Sequence, residues 1–329
     1  TEGLVGSEMC IRDRYRGKGG DMFKDDRYKE AMPIVNVSGG KDSTALCLHL
    51  MENGFTQNDF IRVFADTGWE HQHTYDHLDE LEKTLGKIHR VKKDIPVKPE
   101  NLEKVREIEE MLGFESPMAR QILNNNFFSN SFAKWCTRIL KIEPIKVFLE
   151  DMQDEHGEVI NLVGIRAEES AKRSTFTEWE YTDGFDCWTH RPLLTWTFED
   201  VIAIHQRFGM TPNHLYLNGY NRVGCYPCIN TSKKEIMLLS DERVAVIRKL
   251  EEFANEGKKE GDKIAAFFRS KKASIPFMRI DDVMNWARGE EHGLLGFLQQ
   301  FSDEDLDLFV DEDPSCVRWG MCNIEAPLK

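Results

Sequence analysis

The 329-residue sequence lacks long hydrophobic runs and an excess of basic residues. Its longest apolar runs, such as Val201–Ile204, fall far short of the roughly 18 residues that a membrane-spanning helix needs, so no transmembrane helix is expected. Lys and Arg number 43 against 57 Asp and Glu, which gives a formal net charge of −14. This charge argues against a surface built for duplex DNA, but it leaves room for a local basic pocket that binds a small anion. Because 40% of the residues are hydrophobic, the chain is expected to bury a core rather than remain disordered.

Cysteines are also few. The sequence contains eight in 329 residues, which is too sparse for a disulfide scaffold. Residues 1–20 contain no apolar segment of the kind found in secretory signals, so a reducing cytoplasmic compartment is expected. In that compartment, clustered cysteines more often bind metal or carry out redox chemistry than form disulfides. Residues 1–30 are expected to lie outside the fold, as a disordered tail or a gene-model artefact, with the native start at Met22 or Met32.

Short β-branched segments alternate with helical patterns between residues 31 and 232. Strands are predicted at Pro33–Val37, Ile61–Ala65, Ile88–Val91 and Val159–Val163. This alternation is typical of βαβ units, so it predicts an α/β domain with a parallel sheet flanked by helices. Such sheets bind ligands at the carboxyl ends of their strands, where several distinctive residues of this sequence follow. From residue 233 to residue 329, amphipathic and charge-rich patterns predict a helical C-terminal region.

The segment Ser38–Ser43 (SGGKDS) follows the first predicted strand and begins a predicted helix. Its two glycines let the backbone approach an anion and turn several N–H groups towards it. The positive end of the helix dipole, the serine hydroxyls and the Lys41 ammonium add to this attraction. A simple helix N-cap at Asp42 or Ser43 is the structural alternative, and the string is not a Walker A loop. The pattern predicts an anion-binding loop formed by Ser38, Gly39, Gly40, Lys41, Asp42 and Ser43.

The SGGKDS string resembles the PP-loop of the ATP pyrophosphatase superfamily. Within that superfamily, the chain resembles the phosphoadenosine phosphosulfate (PAPS) reductase family from about Pro33 to Glu235. Two further blocks carry the resemblance. The first block is Asp66-Thr67-Gly68 with Glu70 and Thr74-Tyr75, and it is similar to the family's DTG…ET element. The second block is Gly164–Ser170 with Arg173, and it is similar to the family's GxRxxES..R block. The resemblance implies an adenine-nucleotide α-hydrolase-like fold, which is a Rossmann-like parallel sheet flanked by helices.

The same resemblance implies nucleotide contacts beyond the loop. Asp66, at the end of the second strand, is expected to accept hydrogen bonds from a ribose or to orient a metal-bound pyrophosphate. Arg166 and Arg173 are expected to clamp sulfate or phosphate oxygens, with a surface salt-bridge set as the alternative. The implied contacts outside the loop are Asp66, Thr67, Gly68, Arg166, Glu169 and Arg173. The expected catalytic groups are Lys41, Asp66 and Arg166.

Three cysteines form a second expected site. Cys136 begins a predicted helix near Arg138 and Lys141, a setting that favours the thiolate form that metals require. Cys225 and Cys228 lie in a C-x-x-C turn that can present two sulfurs to one ion. Together the three residues resemble the iron–sulfur branch of the reductase family, in which CC…CxxC holds a [4Fe–4S] cluster. Zinc and free thiols are the alternatives.

Trp135 stands where that iron–sulfur branch has the first cysteine of its pair. A fourth ligand would then come from elsewhere, with Cys187 and Cys322 as candidates, or one iron would stay open and carry a hydrosulfide for sulfur transfer. The reductases also carry a nucleophilic cysteine in a C-terminal ECGxH-type motif, and no such string occurs in this sequence. Its absence argues against thiol attack on a sulfonate followed by resolution with thioredoxin.

The expected function is that of a PAPS-reductase-like enzyme acting on PAPS, adenosine 5′-phosphosulfate (APS) or ATP in sulfur metabolism or sulfur transfer. One version is reduction of the sulfonucleotide with a thioredoxin-like electron donor. The other is an ATP pyrophosphatase that uses Mg²⁺ and a sulfur donor to adenylate and thiolate a nucleic acid, as in DNA phosphorothioation or tRNA thiolation. A non-catalytic nucleotide-binding partner with a structural zinc is the third alternative.

Overall fold

The computed structural model describes Phe23 and residues 25–130, 133–259, 262–268 and 279–288. The strands are β1 (Met32–Asn36), β2 (Ile61–Asp66), β3 (Ile88–Lys92), β4 (Val159–Val163), β5 (Trp179–Thr182) and β6 (Cys187–His190). The α-helices are α1 (Arg27–Glu30), α2 (Lys41–Glu52), α3 (Gln72–Leu85), α4 (Leu102–Leu112), α5 (Pro117–Asn125), α6 (Trp135–Thr137), α7 (Glu143–His156), α8 (Phe198–Arg207), α9 (His214–Leu217), α10 (Lys233–Met237), α11 (Asp241–Asn255) and α12 (Ile280–Arg288). A π-helical segment, Arg138–Ile142, connects α6 to α7. None of the helices in these ranges combines the length and the apolar character that crossing a membrane requires.

The six strands form one mixed sheet in the order β3-β2-β1-β4-β6-β5. β1 pairs in parallel with β2 and β4, and Ile34 lies opposite Ile61 on one side and Asn161 on the other. β4 also pairs in parallel with β6, whereas β5 is antiparallel to β6. The predicted α/β class with a mostly parallel sheet flanked by helices is confirmed, and each of the predicted strands is present. The hairpin of β5 and β6 has no counterpart in the sequence prediction.

Helices cover both faces of the sheet. Successive residues of a strand point to opposite faces, so each face has its own buried cluster. Val35 belongs to a buried cluster on one face, and its neighbour Ile34 belongs to a cluster on the other. The first cluster draws on α2, α3 and α8 and includes Leu46, Leu48, Leu78, Leu81, Val201 and Ile204. The second draws on α7 and includes Ile145, Phe148 and Leu149. This packing holds the carboxyl ends of the neighbouring strands β1 and β4 side by side.

Two compact units make up the chain. The first comprises residues up to Ala65, Gln72–Val91 and Pro144–His214. The second comprises Asp66–His71, Lys92–Glu143 and the residues from Leu215 onward. Its buried core includes Trp69, Ile108, Leu140, Ile247 and Leu250. Residues 1–22 of the predicted tail lie outside the described residues. Phe23 and Tyr28 pack in the buried core of the first unit, so this part of the predicted tail belongs to the fold. The predicted domain boundary at residue 232 stays a prediction.

β4 leads to a point where only a glycine fits against the first turn of α2. A Cβ atom at Gly164 would lie 2.8 Å from the carbonyl oxygen of Asp42 and 3.1 Å from the Cα atom of Ser43. Both of these are backbone atoms, so they cannot move aside unless the helix moves with them. The glycine therefore allows the segment after β4 to touch the amino end of α2.

Glu251 is a buried carboxylate of α11 that joins separate segments of the second unit. Its side chain accepts hydrogen bonds from the backbone N–H groups of Phe267 and Ile280, both at 2.9 Å. Burial raises the pKa of Glu251 to about 7, although these two hydrogen bonds act in the opposite direction. The group therefore changes charge near neutral pH, whereas an ordinary glutamate is already ionised there.

We expect Gly164→Ala to destabilise the protein by about 1–3 kcal/mol, because an added methyl group at a packed site forces backbone segments apart. Thermal unfolding followed by circular dichroism should show a lower midpoint. Gly184→Ala is the matched control, since nothing lies within 4 Å of a Cβ atom at that position. Equal midpoints for the two variants would contradict the close approach of Gly164 to α2.

We expect the free energy of unfolding of the wild type to fall, relative to that of Glu251→Gln, as the pH rises from about 4.5 to about 7. The pKa in the folded protein is higher than the unfolded value, so the folded form binds the proton more tightly and loses this advantage as the carboxyl ionises. Over this pH range, the expected fall in the free energy of unfolding of the wild type relative to Glu251→Gln is on the order of 3 kcal/mol. Urea unfolding at a series of pH values measures it, and Glu252→Gln, at an exposed neighbour, should keep the wild-type profile. Parallel profiles for wild type and Glu251→Gln would show that Glu251 titrates normally.

Candidate functional site

The loop between β1 and α2 is shaped by two glycines. Gly39 has a φ of +71°, and a Cβ atom there would lie 2.9 Å from Cγ2 of Thr74. Gly40 precedes α2 in an extended conformation, with φ −99° and ψ 165°. The side-chain amide of Asn213 donates a hydrogen bond to the Gly39 carbonyl oxygen at 3.2 Å. The loop thus has a conformation at position 39 that suits glycine and few other residues.

Serine hydroxyls hold this loop in a closed turn. Ser43 Oγ accepts a hydrogen bond from the Ser38 N–H at 3.0 Å and donates one to the Gly40 carbonyl oxygen at 3.0 Å. The Ser38 hydroxyl lies 3.1 Å from the Ser43 hydroxyl and accepts the Gly40 N–H at 3.3 Å. These bonds form a turn at the amino end of α2, where backbone N–H groups and the helix dipole favour an anion.

The Asp42 carboxylate lies between two cations of the first unit. Arg166 donates from Nε to one oxygen at 2.6 Å, and Lys41 Nζ lies 3.2 Å from the other. Burial alone would raise the pKa of Asp42, but the charges of Lys41 and Arg166 outweigh it and hold the pKa below its usual value. The Phe198 ring lies 5.4 Å from Lys41 Nζ and 5.9 Å from the guanidinium carbon of Arg166. The structure therefore brings the predicted groups Lys41 and Arg166 together.

Two further carboxylates pair with the predicted arginines. Glu168 forms an ion pair with Arg166, and Glu169 forms one with Arg173. Glu169 also accepts the backbone N–H of Arg166 at 2.9 Å, so both arginines lie in one network. With Asp42 included, three carboxylates face three cations and their formal charges cancel. Each of the three cations therefore already has a carboxylate partner.

Asp66, the last residue of β2, stabilises the turn that follows it in the second unit. One of its oxygens accepts the Gly68 N–H at 2.8 Å, and the other lies 2.9 Å from Lys92 Nζ. Gly68 has a φ of +61°, and a Cβ atom there would lie 2.6 Å from the carbonyl oxygen of Glu115. The turn therefore depends on a close backbone approach that glycine permits. The role of Asp66, Thr67 and Gly68 towards a nucleotide stays a prediction.

Lys141 is a partly buried ammonium that interacts with all of the predicted metal ligands. The charge of Cys225 makes the largest contribution to raising the pKa of Lys141 above its usual value, and Glu70, Cys228 and Cys136 add to the rise. Burial raises the pKa of the Cys225 thiol to about 12, although Lys141 acts in the opposite direction. Lys141, Cys225 and Cys228 also line one cavity of about 110 Å³. The three predicted ligands thus share one electrostatic neighbourhood.

The chemistry of this neighbourhood suits a metal centre with thiolate ligands. Within the described residues, no three His, Cys, Asp or Glu side chains are grouped closely enough to hold a metal ion as they stand. Cys136 instead accepts a hydrogen bond from Ser129 Oγ at 3.0 Å. The indole N–H of Trp135 is buried without a hydrogen-bond partner. Three thiols, one ammonium and one unused donor fit an anionic group such as a thiolate-ligated cluster.

Of the two candidates for a fourth metal ligand, Cys187 and Cys322, the structure describes only Cys187. Cys187 packs in the hydrophobic core of the first unit with Met32 and Val159, and burial raises the pKa of its thiol to about 11. This is the environment of a core cysteine. Cys322 lies outside the described residues.

Three contributors to these sites were missed by sequence reasoning. They are Asn213, which binds the Gly39 carbonyl oxygen, Phe198, which lies beside two cations, and Lys92, which pairs with Asp66. Lys92 directly follows the third predicted strand, and the rule that ligands gather at strand ends is a signal that points to it. Asn213 and Phe198 belong to no motif, and only the packing of the chain reveals them.

A family model for the phosphoadenosine phosphosulfate reductase domain matches residues 32–231. The matched segment contains the Ser38–Ser43 loop, the arginine block after β4 and all three predicted cysteine ligands. It also contains the whole of the six-stranded sheet.

Comparison with known proteins places the chain among relatives of this family. It is 35% identical over 234 residues to an uncharacterised 37.8 kDa protein of Escherichia phage 186, which covers 62% of this chain and 68% of that protein. It is 28% identical over 178 residues to the adenosine 5′-phosphosulfate reductase of Neisseria meningitidis serogroup A, which covers 54% of this chain and 65% of that enzyme. For an uncharacterised protein of Methanocaldococcus jannaschii, 30% identical over 265 residues, the match covers 77% of this chain and 49% of that protein. The crystal structure of PAPS reductase from Candida auris, as a phosphate complex, is similar with a TM-score of 0.44 and 16% identity, over 69% of this chain and 99% of that one. On the strength of the family match, the chain belongs to the phosphoadenosine phosphosulfate reductase domain family.

Proposed function

We propose that this protein is a PP-loop enzyme that binds an adenine nucleotide and acts on its anionic group, in sulfur metabolism or sulfur transfer. The observation that carries the proposal is the Ser38–Ser43 turn with Lys41 and Arg166 meeting at the first turn of α2. An anion placed there meets backbone N–H groups, hydroxyls and two cations at once. The APS reductase relatives support the reaction class.

Each proposed nucleotide contact has its own task. The glycines and hydroxyls of the loop cradle the anion, and Lys41 neutralises charge that develops at the reacting centre. Arg166 and Arg173 clamp further oxygens when they exchange their carboxylate partners for the ligand. Asp66 positions the ribose or a Mg²⁺-bound pyrophosphate.

Cys136, Cys225 and Cys228 are proposed to hold a [4Fe–4S] cluster, with zinc as the alternative metal. When bound, such a cluster supplies an electron-transfer centre or, with only three protein ligands, an iron that accepts an external sulfur ligand. Lys141 offsets the negative charge of the metal-bound thiolates. The unused indole N–H of Trp135, next to Cys136 in the chain, is a further donor for this region.

Two reactions are compatible with these roles. In the reductive version, a thioredoxin-like dithiol supplies two electrons, the bond between sulfur and the phosphate oxygen breaks, and sulfite leaves together with the nucleotide. In the ATP-dependent version, the bond between the α- and β-phosphates breaks, pyrophosphate leaves, an acceptor such as a nucleic acid is adenylated, and a sulfur donor displaces AMP. The lack of an ECGxH string in the sequence favours the second version. The balance of three cations by three carboxylates also favours a nucleotide that brings Mg²⁺.

We expect Lys41→Ala to lower nucleotide turnover by about 100-fold, because one fixed charge is removed from the reacting centre. Pyrophosphate release from ATP and sulfite release from PAPS are measured separately, so the same experiment identifies the reaction. Lys83→Ala, at an exposed position of α3, is the matched control and should retain wild-type turnover. Unchanged turnover of both nucleotides in Lys41→Ala would contradict the site assignment.

We expect protein purified without oxygen to show the broad visible absorbance of an iron–sulfur cluster, and Cys228→Ser to lose it because one thiolate ligand is gone. Cys47→Ala is the control, since Cys47 is fully buried in the core of the first unit and should not affect the absorbance. A colourless protein that contains one bound zinc per chain would show that the three cysteines hold a structural zinc ion and not an iron–sulfur cluster. A zinc-loaded protein that releases neither pyrophosphate nor sulfite would indicate a non-catalytic nucleotide-binding partner.

A further inference from the structure

The turn after β2 and the C-x-x-C loop are bonded to each other within the second unit. Glu70 and Cys225 form an isolated antiparallel backbone bridge. The N–H of Tyr226 donates to the Trp69 carbonyl oxygen at 2.8 Å, and the Trp69 indole N–H donates to the Pro227 carbonyl oxygen at 3.1 Å. The turn that contains Thr67 and Gly68 cannot shift far without moving the loop that carries two predicted metal ligands.

The side chain of Glu70 adds contacts that the backbone bridge does not require. Only 1% of Glu70 is exposed, and its two oxygens accept the Thr67 hydroxyl at 2.7 Å and the Trp69 N–H at 3.1 Å. The oxygen that binds Thr67 also lies 3.9 Å from the sulfur of Cys225. One buried carboxylate therefore touches a residue predicted to contact a nucleotide and a residue predicted to bind a metal.

Lys141 lines the same cavity as Cys225 and Cys228. The ammonium interacts electrostatically with Glu70 and with Cys136, Cys225 and Cys228.

We propose that Glu70 is a positioning residue that couples metal binding at the three cysteines to nucleotide binding at the turn after β2. The inference rests on the proposed function of both sites. A turn already fixed by Glu70 and a metal-bound Cys225 has less freedom to lose when a nucleotide binds, so the affinity is higher. Because coupling between two binding sites is reciprocal, the nucleotide must stabilise the bound metal by the same factor.

A binding cycle tests the coupling without an activity assay. Calorimetry gives the dissociation constants of MgATP and of APS for protein reconstituted anaerobically with iron and sulfide, and for the same protein after chelation. We expect the loaded wild type to bind its nucleotide at least about 5-fold more tightly than the metal-free form. Glu70→Gln keeps the size of the side chain but loses one acceptor oxygen. In this variant, the ratio of the dissociation constants of the metal-free and loaded forms should fall below about 2. The bound nucleotide should likewise slow the loss of visible absorbance to a chelator in the wild type and not in Glu70→Gln.

Glu235→Gln is the matched control. Glu235 is also buried and lines the same cavity as Cys225, but it accepts backbone N–H groups of Asn221 and Ser232, each at 3.0 Å, rather than those of the turn. This variant should keep the wild-type ratio. If Glu70→Gln does not fold, Thr67→Val removes the same hydrogen bond from the other side and should also lower the ratio.

The outcomes separate this inference from the proposed function. A wild-type ratio near 1, with nucleotide binding still measurable, would overturn the coupling. An equal loss of the ratio in Glu70→Gln and Glu235→Gln would overturn the specific role of Glu70, since general loosening of the cavity would explain both. Absence of nucleotide binding in both wild-type forms would overturn the proposed function itself.

Discussion

The contact between the segment after β4 and the amino end of α2 is the constraint on which the site of the first unit depends. Gly164 allows this contact, and Arg166, two residues later, then reaches the Asp42 carboxylate. The Arg166 side chain is only 4% exposed, and the carboxylates of Asp42 and Glu168 compensate for the removal of its charge from water. The ion pair therefore keeps a guanidinium in place before any ligand arrives, which lowers the cost of organising an anion site when one does.

The environment of Cys225 acts on its thiol in two directions. Burial raises the pKa of the thiol and Lys141 lowers it, and the thiolate is the form that binds a metal or attacks a sulfonate. A bound metal ion can displace the proton, because the metal–thiolate bond compensates for the burial that raised the pKa.

Local patterns predicted the parts of the structure that depend on neighbouring residues. SGGKDS specifies its own turn, since Ser38, Gly40 and Ser43 bond to one another within five positions. The β5–β6 hairpin was missed because each strand has only four residues and neither shows a long alternating pattern. The contact between Asn213 and Gly39 spans 174 positions, so no local rule can anticipate it. The division into units is equally non-local, because residues 66–71 belong to the second unit although they lie between two segments of the first. The roles of the predicted site residues remain predictions, since geometry alone does not identify a ligand.

The charges around Asp42 bear on the choice between the two reactions. Lys41 and Arg166 hold the pKa of Asp42 below its usual value, so protonation near neutral pH does not remove its charge. A sulfonucleotide without a metal would therefore compete with the Asp42 carboxylate for Lys41 and Arg166. MgATP brings a cation of its own, and oxygen ligands of the carboxylate type are those that Mg²⁺ prefers. In the proposed ATP-dependent version, carboxylates displaced from Lys41 and Arg166 would then gain a new partner instead of being left uncompensated.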